Sequence, residues 1–443
     1  MLPQQIKPRP SAPIFNHLHL IEVELAALKA PNRALRDHPA SQIKKIARSL
    51  EQFGWVSPIL IDGQNEIIAG TARIAAAKKL GLTSAPAIRV DHLSPAEIRA
   101  YRIADNRLAE EADWDRDALR LEITELLDLE IDIELTGFEV GEIDILIDDG
   151  SGEALDEDVP DPPDDPISRL GDLWIIGEHR LVCGDALEAN TYEALLDGQL
   201  ADAVFADAPY NVAIDRNVCG LGKIKHAEFV QASGEMSGDE FSNFLKTAHT
   251  RLAENTSPGG VLFSCMDWRS ISPLIVAAQS AGLQLLNLAV WDKGKGGMGS
   301  LYRSQHELVA VLKKPGTSHR NNIELGKHGR DRTNVWDYAG CSTASKERDA
   351  LLALHPTVKP VALVSDAIKD VTARGDTVLD CFGGSGTTMV AAQQTGRIAC
   401  LVELDPAYVD VIITRMLSAF GIEAIHAETG ETFAVVRASR ENS

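Results

Sequence analysis

The sequence predicts an α/β chain of two folded parts: a small α+β domain, then a doubly wound parallel sheet. Three observations predict it. The stretch "DTVLDCFGGSGTTMVAAQQTGRIACLVELDPAYVDVIITRM" (376–416) reads strand, glycine turn, helix, strand, acid, the order of a parallel sheet with crossover helices. A separate alternation of short strands and helices fills the chain before about residue 149. Between the two lies "GSGEALDEDVPDPPDDP" (150–166), rich in Gly, Pro and acids with little to bury, which is the composition of a solvated linker.

Size and charge bound the function. A chain of 443 residues with 44% apolar and 24% charged residues has room for two or three cored domains. No apolar run approaches the ~20 residues of a membrane helix, and the N-terminus "MLPQQIKPRPSAP" lacks a signal-peptide core, so a cytoplasmic protein with no membrane partner is expected. The six cysteines have no C-x-x-C spacing, and no metal site is expected. The net charge of −22 is local: residues 109–165 hold 23 Asp/Glu against Arg116 and Arg120. Residues 293–350 are basic, with eleven Lys/Arg against six Asp/Glu, so a nucleic-acid partner is not excluded.

The elements of the first part follow in order after a tail of residues 1–16. "QIKKIARSLEQFG" (42–54) is an amphipathic helix stopped by Gly54, and "SPILIDGQNEIIAG" (57–70) is two short strands around a Gly-Gln-Asn turn. "TARIAAAKKLGL" starts a helix directly after Gly70, and Arg73 in its first turn makes a candidate phosphate cradle. Lys44, Lys45, Arg48, Arg73, Lys78 and Lys79 would form a basic face on two helices. "DALRLEITELLDLEIDIEL" (117–135) reads as a charged helix closing the domain at about residue 149. Together with "RIADNRLAEEADWD", these segments make residues 17–148 similar to the ParB/sulfiredoxin-like N-terminal domain. In that family the turn reads Gly-Glu-x-Arg or carries a reactive cysteine. Here Gly70-Thr71-Ala72-Arg73 lacks both the acid and the thiol, which leaves phosphate or DNA contact as the implied role.

The second part carries the chemistry. In its last strand–helix–strand unit, Asp380 ends a strand, Phe382-Gly383-Gly384-Ser385-Gly386-Thr387 forms the turn, and Glu403 ends the next strand seventeen residues after Gly386. Such glycines admit a ligand close to the backbone, and the acid can hold two ribose hydroxyls; this fits any nucleotide-type cofactor. "RLVCGDAL" (180–187) is another strand ending in an acid, Asp185, and "FADAPYNV" (205–212) ends a third with Asp207, Ala208, Pro209 and Tyr210. A carboxylate and the next carbonyl can accept both hydrogens of an exocyclic amine, drawing its lone pair out of conjugation. Pro209 biases Ala208 to an extended conformation, and Tyr210 can stack on an extruded base.

The ordered set "GDAL", "DAPYNV", "SLYRSQHELVAVLKK", "NVWDY", "HPTVKP", "LDCFGGSGTT" and "VELDPAYVDVIITR" resembles the beta class of DNA adenine-N6/cytosine-N4 methyltransferases. That resemblance covers about residues 168–416 and implies a Rossmann-like, S-adenosylmethionine-dependent sheet with circularly permuted motif order. It places the domain at 168–420, with a C-terminal tail of 421–443. It further implies that Asp207 to Tyr210 are catalytic, that Asp380, Phe382, Gly383, Gly384, Ser385, Gly386 and Thr387 line the cofactor, and that Glu403 takes the ribose and Asp185 the adenine ring. His355 and Lys359 of "HPTVKP" would flank the methionine end. The family pattern is Asp/Asn/Ser-Pro-Pro-aromatic, and Ala208 stands at the first proline. Aspartate in first place favours adenine N6 over cytosine N4, while the absence of any Pro-Cys argues against cytosine C5. A cytosine-N4 enzyme and a DNA-binding adaptor with a lapsed site are the alternative readings.

The loop 211–237 past the motif is placed to close over a flipped base. Within 293–350, Lys293, Lys295, Arg303, Lys327, Arg330 and Arg332 are interleaved with Gly, Asn and aromatic residues and are expected to contact phosphates. Double-stranded DNA is thus the expected partner, with a second copy of the chain and a nucleotide phosphate at the N-terminal domain as further candidates.

Overall fold

Residues 19–129, 131–147, 159–211, 235–294, 296, 301–323, 331–338 and 359–441 are described in the computed structural model, which divides into two units, Met1–Glu139 and Val140–Ser443. In the first unit, β1 (Leu20–Glu24), β2 (Ile59–Ile61), β3 (Ile67–Ala69) and β4 (Ser84–Arg89) form one sheet in the order β1-β4-β2-β3. Val23, Ile59, Ile61, Ile67, Ala85 and Ala87 bury its inner face against Ile74 and Ala77 of the helix Thr71–Lys79. The turn between β2 and β3 falls where Gly63-Gln64-Asn65 predicts it. Asn65 takes a positive φ of 63°, and the Asp62 carboxylate accepts from the Gln64 and Glu66 N–H groups. Gly70 is required where it stands, because its φ is +103° and a Cβ would lie 2.8 Å from Ile59 Cγ2. The helix Ala40–Phe53 stops at Gly54, and Pro95–Leu108 is held by a Ser94/Glu97 capping box.

The charged helix is shorter than expected. It spans Arg116–Asp128, starting at the Asp115 cap, and a 3-10 turn at Ile133–Thr136 follows. The unit also ends at Glu139 rather than near 149. The helix Val140–Ile147 belongs to the second unit, where Asp144 makes a two-pronged pair with Arg397, at 3.0 and 2.8 Å. Arg397 is 2% exposed, so removing Asp144 would strand a buried charge.

The second unit is built on one ten-stranded sheet in the order β11-β9-β10-β8-β7-β12-β13-β6-β5-β14. Its members are β5 (Leu173–Ile176), β6 (His179–Cys183), β7 (Ala201–Asp207), β8 (Thr256–Met266), β9 (Gln284–Asp292), β10 (His306–Lys313), β11 (Val335–Asp337), β12 (Thr377–Asp380), β13 (Ile398–Glu403) and β14 (Ala424–His426). The central strands β8, β7, β12, β13 and β6 run parallel, and β10 returns antiparallel beside β8. Both faces of these strands are buried, as their near-continuous apolar runs require. Val204, Leu262 and Val402 face Leu195, Phe244 and Leu245, whereas Phe205, Phe263 and Val378 face Leu363, Val364 and Ile368. From β7 the chain goes on to β8 on one side, and from β12 to β13 on the other. The crevice between β7 and β12 is therefore the point where the strand order reverses, the usual ligand position in such sheets.

Two expected boundaries move. Residues 421–443 are not a tail: β14 pairs antiparallel with β5, and in the helix Phe433–Glu441 the Arg440 guanidinium is bonded to Asp172. The end of the acidic linker is tied down as well. The N–H groups of Ile167 and Ser168 donate to the buried Asp410 carboxylate at 2.6 and 3.0 Å.

Candidate active site

Parallel strands that end side by side deliver their last residues to one edge of the sheet. Asp207 ends β7, Asp380 ends β12, Glu403 ends β13, and Asp185 follows β6 after Gly184. Because β10 is antiparallel to β8, its first residues arrive at that same edge. Leu308 pairs with Met266 and Asp207 with Cys265, so Glu307 comes close to Asp207. Topology thus gathers acids from five strands, which is costly unless each charge is met or suppressed.

Around Asp207 the charges are met. Lys359 Nζ lies 2.5 Å from Asp207 Oδ2 and 2.9 Å from Glu307 Oε1, and Lys293 Nζ lies 2.7 Å from Glu307 Oε2. The Tyr210 hydroxyl is within hydrogen-bond reach of both carboxylates and of Lys359. Lys293 also sits 4.6 Å from the Trp291 ring centre. Burial would push Glu307 up, but Lys359 and Lys293 outweigh it and hold this carboxyl down at about 2. Asp207 is pushed up by burial and by the Glu307 charge, against the pull of Lys359. Among the described residues, Asp207, Cys265 and Glu307 are near enough together to share a cation, and the Lys359 ammonium pairs with both of these carboxylates. The backbone past the motif is fixed too. Asn211 takes φ 54°, a region asparagine tolerates, and its amide exchanges two hydrogen bonds with the Met236 backbone.

Around Asp380 and Glu403 the charges are suppressed instead. Asp380 accepts from the Phe382 N–H at 3.0 Å and the Thr388 hydroxyl at 2.6 Å, and burial raises it to about 8. Its two oxygens thus pin the glycine turn. Glu403 accepts from the Gly384 and Asp405 N–H groups at 2.7 and 2.8 Å, and burial raises it to about 7. The turn needs its glycines: Gly386 has φ +82° and a Cβ there would be 2.9 Å from Ile412 Cγ1. Gly386 precedes the helix Thr387–Thr395, Ser385 is buried with its carbonyl accepting from Arg415, and Gly383 donates to the Val402 carbonyl. Phe382 packs with its ring centre 5.9 Å from that of Phe244. The Asp185 carboxylate accepts from the Leu187 N–H at 2.9 Å, one strand over from Glu403.

The structure gathers most of the predicted residues and reassigns several. Lys359 lies against Asp207 and Tyr210, where the sequence puts it at the methionine end of the cofactor. Lys293, expected at a phosphate, is bonded to Glu307. Arg332, also expected at a phosphate, is half-buried and engaged: it bonds Tyr338 and Asp366 and pairs with Asp370 at 2.8 Å. Arg303 is exposed, beside Tyr302 at 84% exposure. In the first unit, Arg73 Nη1 donates to the Ser57 and Pro58 carbonyls, so this arm of the guanidinium braces the loop before β2. The basic face is likewise reduced, since Lys45 pairs with Glu139 and Arg48 with Asp132 and Glu134. His355, Lys295, Lys327, Arg330 and most of the loop 211–237 lie outside the described residues. Glu307 was given no role from the sequence. Its signal was an acid inside the run "HELVAVL", where a strand buried on both faces has no place for an unpaired charge.

Residues 201–414 match the family model described as DNA methylase, residues 14–106 that of the ParB N-terminal domain, and residues 117–170 that of the ParB-methyltransferase HTH domain. The last was not foreseen, because the sequence reads there as a closing helix and a linker. The type II methyltransferase M.HpaI of Haemophilus parainfluenzae is 24% identical over 266 residues, which is 56% of this chain and 77% of that protein. M.BglI of Bacillus subtilis is 30% identical over 183 residues, 39% of this chain and 50% of that protein. Among solved structures, the M1.HpyAVI–SAM complex aligns with a TM-score of 0.41 at 20% identity, covering 53% of this chain and 98% of that one.

Proposed function

We propose that this chain, which belongs to the N6/N4 DNA methylase family and carries a ParB-type N-terminal domain, transfers a methyl group from S-adenosylmethionine to the exocyclic N6 of adenine in double-stranded DNA. The observation that carries the reading is the placing of Asp207-Ala208-Pro209-Tyr210 at the carboxyl end of β7, on the reversal point of the sheet, with the glycine turn of β12 on the adjacent strand. A flipped base presents its amine to such an edge.

The residues of the cofactor side fit the group. Glu403 is a suppressed acid with N–H partners and, among the described residues, no cation, so the hydroxyls of a ribose would favour its charged form. Gly386 lets the turn pack directly on Ile412, where a Cβ would lie 2.9 Å from its Cγ1, and Asp185, one strand from Glu403, would take the adenine ring. When bound, S-adenosylmethionine supplies an electrophilic sulfonium methyl, so the protein need provide no nucleophile. What remains is positioning and electrostatics. Asp207 and the Ala208 carbonyl accept the two amine hydrogens and turn the lone pair out of the ring system. Tyr210, tied by its hydroxyl to Asp207 and Glu307, holds a ring face for stacking. Aspartate as the first motif residue supports adenine over cytosine.

The test is incubation with tritiated S-adenosylmethionine and mixed-sequence duplex DNA, then separation of the nucleosides. Label in N6-methyldeoxyadenosine is expected. Label in N4-methylcytosine overturns the base assignment, and DNA binding with label in neither base favours an adaptor with a lapsed site.

A further inference from the structure

We propose that Glu307 is a positioning residue of the methyl-transfer site, holding Lys359 and Tyr210 from behind so that the target amine can take the place of the Lys359 ammonium on Asp207; this rests on the function proposed above. Every group that touches Asp207 in the ion-pair cluster is also held by Glu307. Lys359 bridges the two carboxylates at 2.5 and 2.9 Å, and the Tyr210 hydroxyl reaches both. Glu307 is 5% exposed, with one oxygen on buried Lys359 and on Tyr210 and the other on half-buried Lys293, so both its oxygens are taken up by side chains of the protein.

The charges explain the arrangement. Asp207 and Glu307 carry two negative charges, and Lys359 and Lys293 two positive ones, so the cluster is neutral as it stands. A neutral amine approaching Asp207 Oδ2 must displace an ammonium. Without Glu307 the displaced ammonium would keep neither of the two carboxylates it pairs with among the described residues, a large cost for a buried charge. With Glu307 at 2.9 Å it keeps a partner and moves little. The same oxygen anchors Tyr210, so one residue sets both the hydrogen-bonding edge and the stacking face. Glu307 does this through other side chains and makes no contact with the reacting atoms.

The experiment is a double-mutant cycle on the full chain with Glu307→Gln, Lys359→Met and the pair together. Methyl transfer to duplex DNA, cofactor affinity by calorimetry and the melting temperature of the cofactor-free protein are read for each. Glu307→Gln keeps the shape, leaves one unbalanced positive charge, and is expected to lower kcat about 100-fold with cofactor affinity within two-fold. The double variant is neutral again and is expected to recover at least about ten-fold over Glu307→Gln, with a smaller melting loss than the two single losses added. A purely structural role gives no such recovery. A Glu307→Gln rate within two-fold of wild type, or a double variant no faster than Glu307→Gln, overturns the proposal. Should Glu307→Gln fail to fold, the neutral double variant is expected to fold, and its failure overturns the coupling. If the wild type transfers no methyl group, the proposed function fails by itself. Non-additive melting losses would then still establish the pair, and additive ones would remove it.

Discussion

The two halves of the strand-end edge handle their acids in opposite ways. At β7 and β10, Asp207 and Glu307 are compensated by the ammonium groups of Lys359 and Lys293. At β12 and β13, Asp380 and Glu403 accept from N–H and hydroxyl groups, and burial drives both towards the neutral form. The difference teaches what each half awaits. A compensated carboxylate can exchange one donor for another without a change of net charge, which suits a neutral amine that must arrive and leave. A suppressed acid gains from new donors, which suits a ligand that brings hydroxyl groups.

The largest expected effect comes from cutting the compensated half at its centre. Asp207→Ala removes the amine acceptor, and a rate loss of about 10³-fold is expected from the loss of one preorganised partner. Cofactor affinity, measured by calorimetry, should stay within two-fold, since Asp207 belongs to the other half. A parallel loss of cofactor affinity would show that the two halves are not separate, and would break the comparison.

The suppressed half is tested by Glu403→Gln, expected to weaken cofactor binding about 10- to 100-fold, the range for a hydrogen bond to a charged group. Its pH dependence has a definite sign. Donors from a ligand favour the carboxylate, so binding expels a proton from a group titrating at about 7 in the free protein. Affinity should therefore rise from pH 6 to pH 8 and flatten in Glu403→Gln. Calorimetry in buffers of different ionisation enthalpy counts the proton directly.

A smaller effect is expected on the free protein. Asp380 has its pKa raised in the fold to about 8, so its contribution to stability is full below about 4, the ordinary aspartate value, and is lost as the pH rises through 8. The melting temperature should fall between pH 6 and pH 8.5, and Asp380→Asn should reduce that slope. A slope that is unchanged would mean that Asp380 is already ionised in the fold, with the turn stiffened by charge rather than by neutrality.

Much of this edge was legible in the sequence, for a physical reason. Asp207, Asp380 and Glu403 each close an apolar run, and a carboxylate at the end of a buried parallel strand has nowhere to point except the ligand edge. The glycine turn was legible because Gly386 needs a backbone that other residues resist. What could not be read was pairing between distant segments. Lys293 and Arg332 belong to a basic block, but Glu307 and the Asp366/Asp370 pair, which neutralise them, are set only by the antiparallel return of β10 and by the helix Val361–Val371. Charge counted along the chain cannot separate a cation that faces solvent from one that fills an internal pair. The C-terminal strand β14 was missed because three residues carry too little pattern, and its place depends on Trp174, whose ring lies 5.0 Å from His426.

The smallest expected effect sharpens the compensated half. Ala208 stands at the first proline of the Asp/Asn/Ser-Pro-Pro-aromatic pattern that the motif resembles, and it is buried in the core cluster. Proline there would remove backbone freedom and one N–H while keeping the carbonyl that receives the amine. Because the ring restricts the preceding residue as well, it would also hold Asp207 to extended backbone, as the end of β7 already does. Where the native backbone fits the ring, proline stabilises a fold by about 0.4–1 kcal/mol through the unfolded chain, so Ala208→Pro should raise the melting temperature and, by holding the carbonyl in place, modestly raise methyl transfer, with cofactor affinity unchanged. A fall in rate with a lower melting temperature would show that the pocket has closed around alanine and has no room for the ring. In that event the site has adapted to the substitution rather than been weakened by it, and turnover of the natural sequence is already set by the pair behind Tyr210.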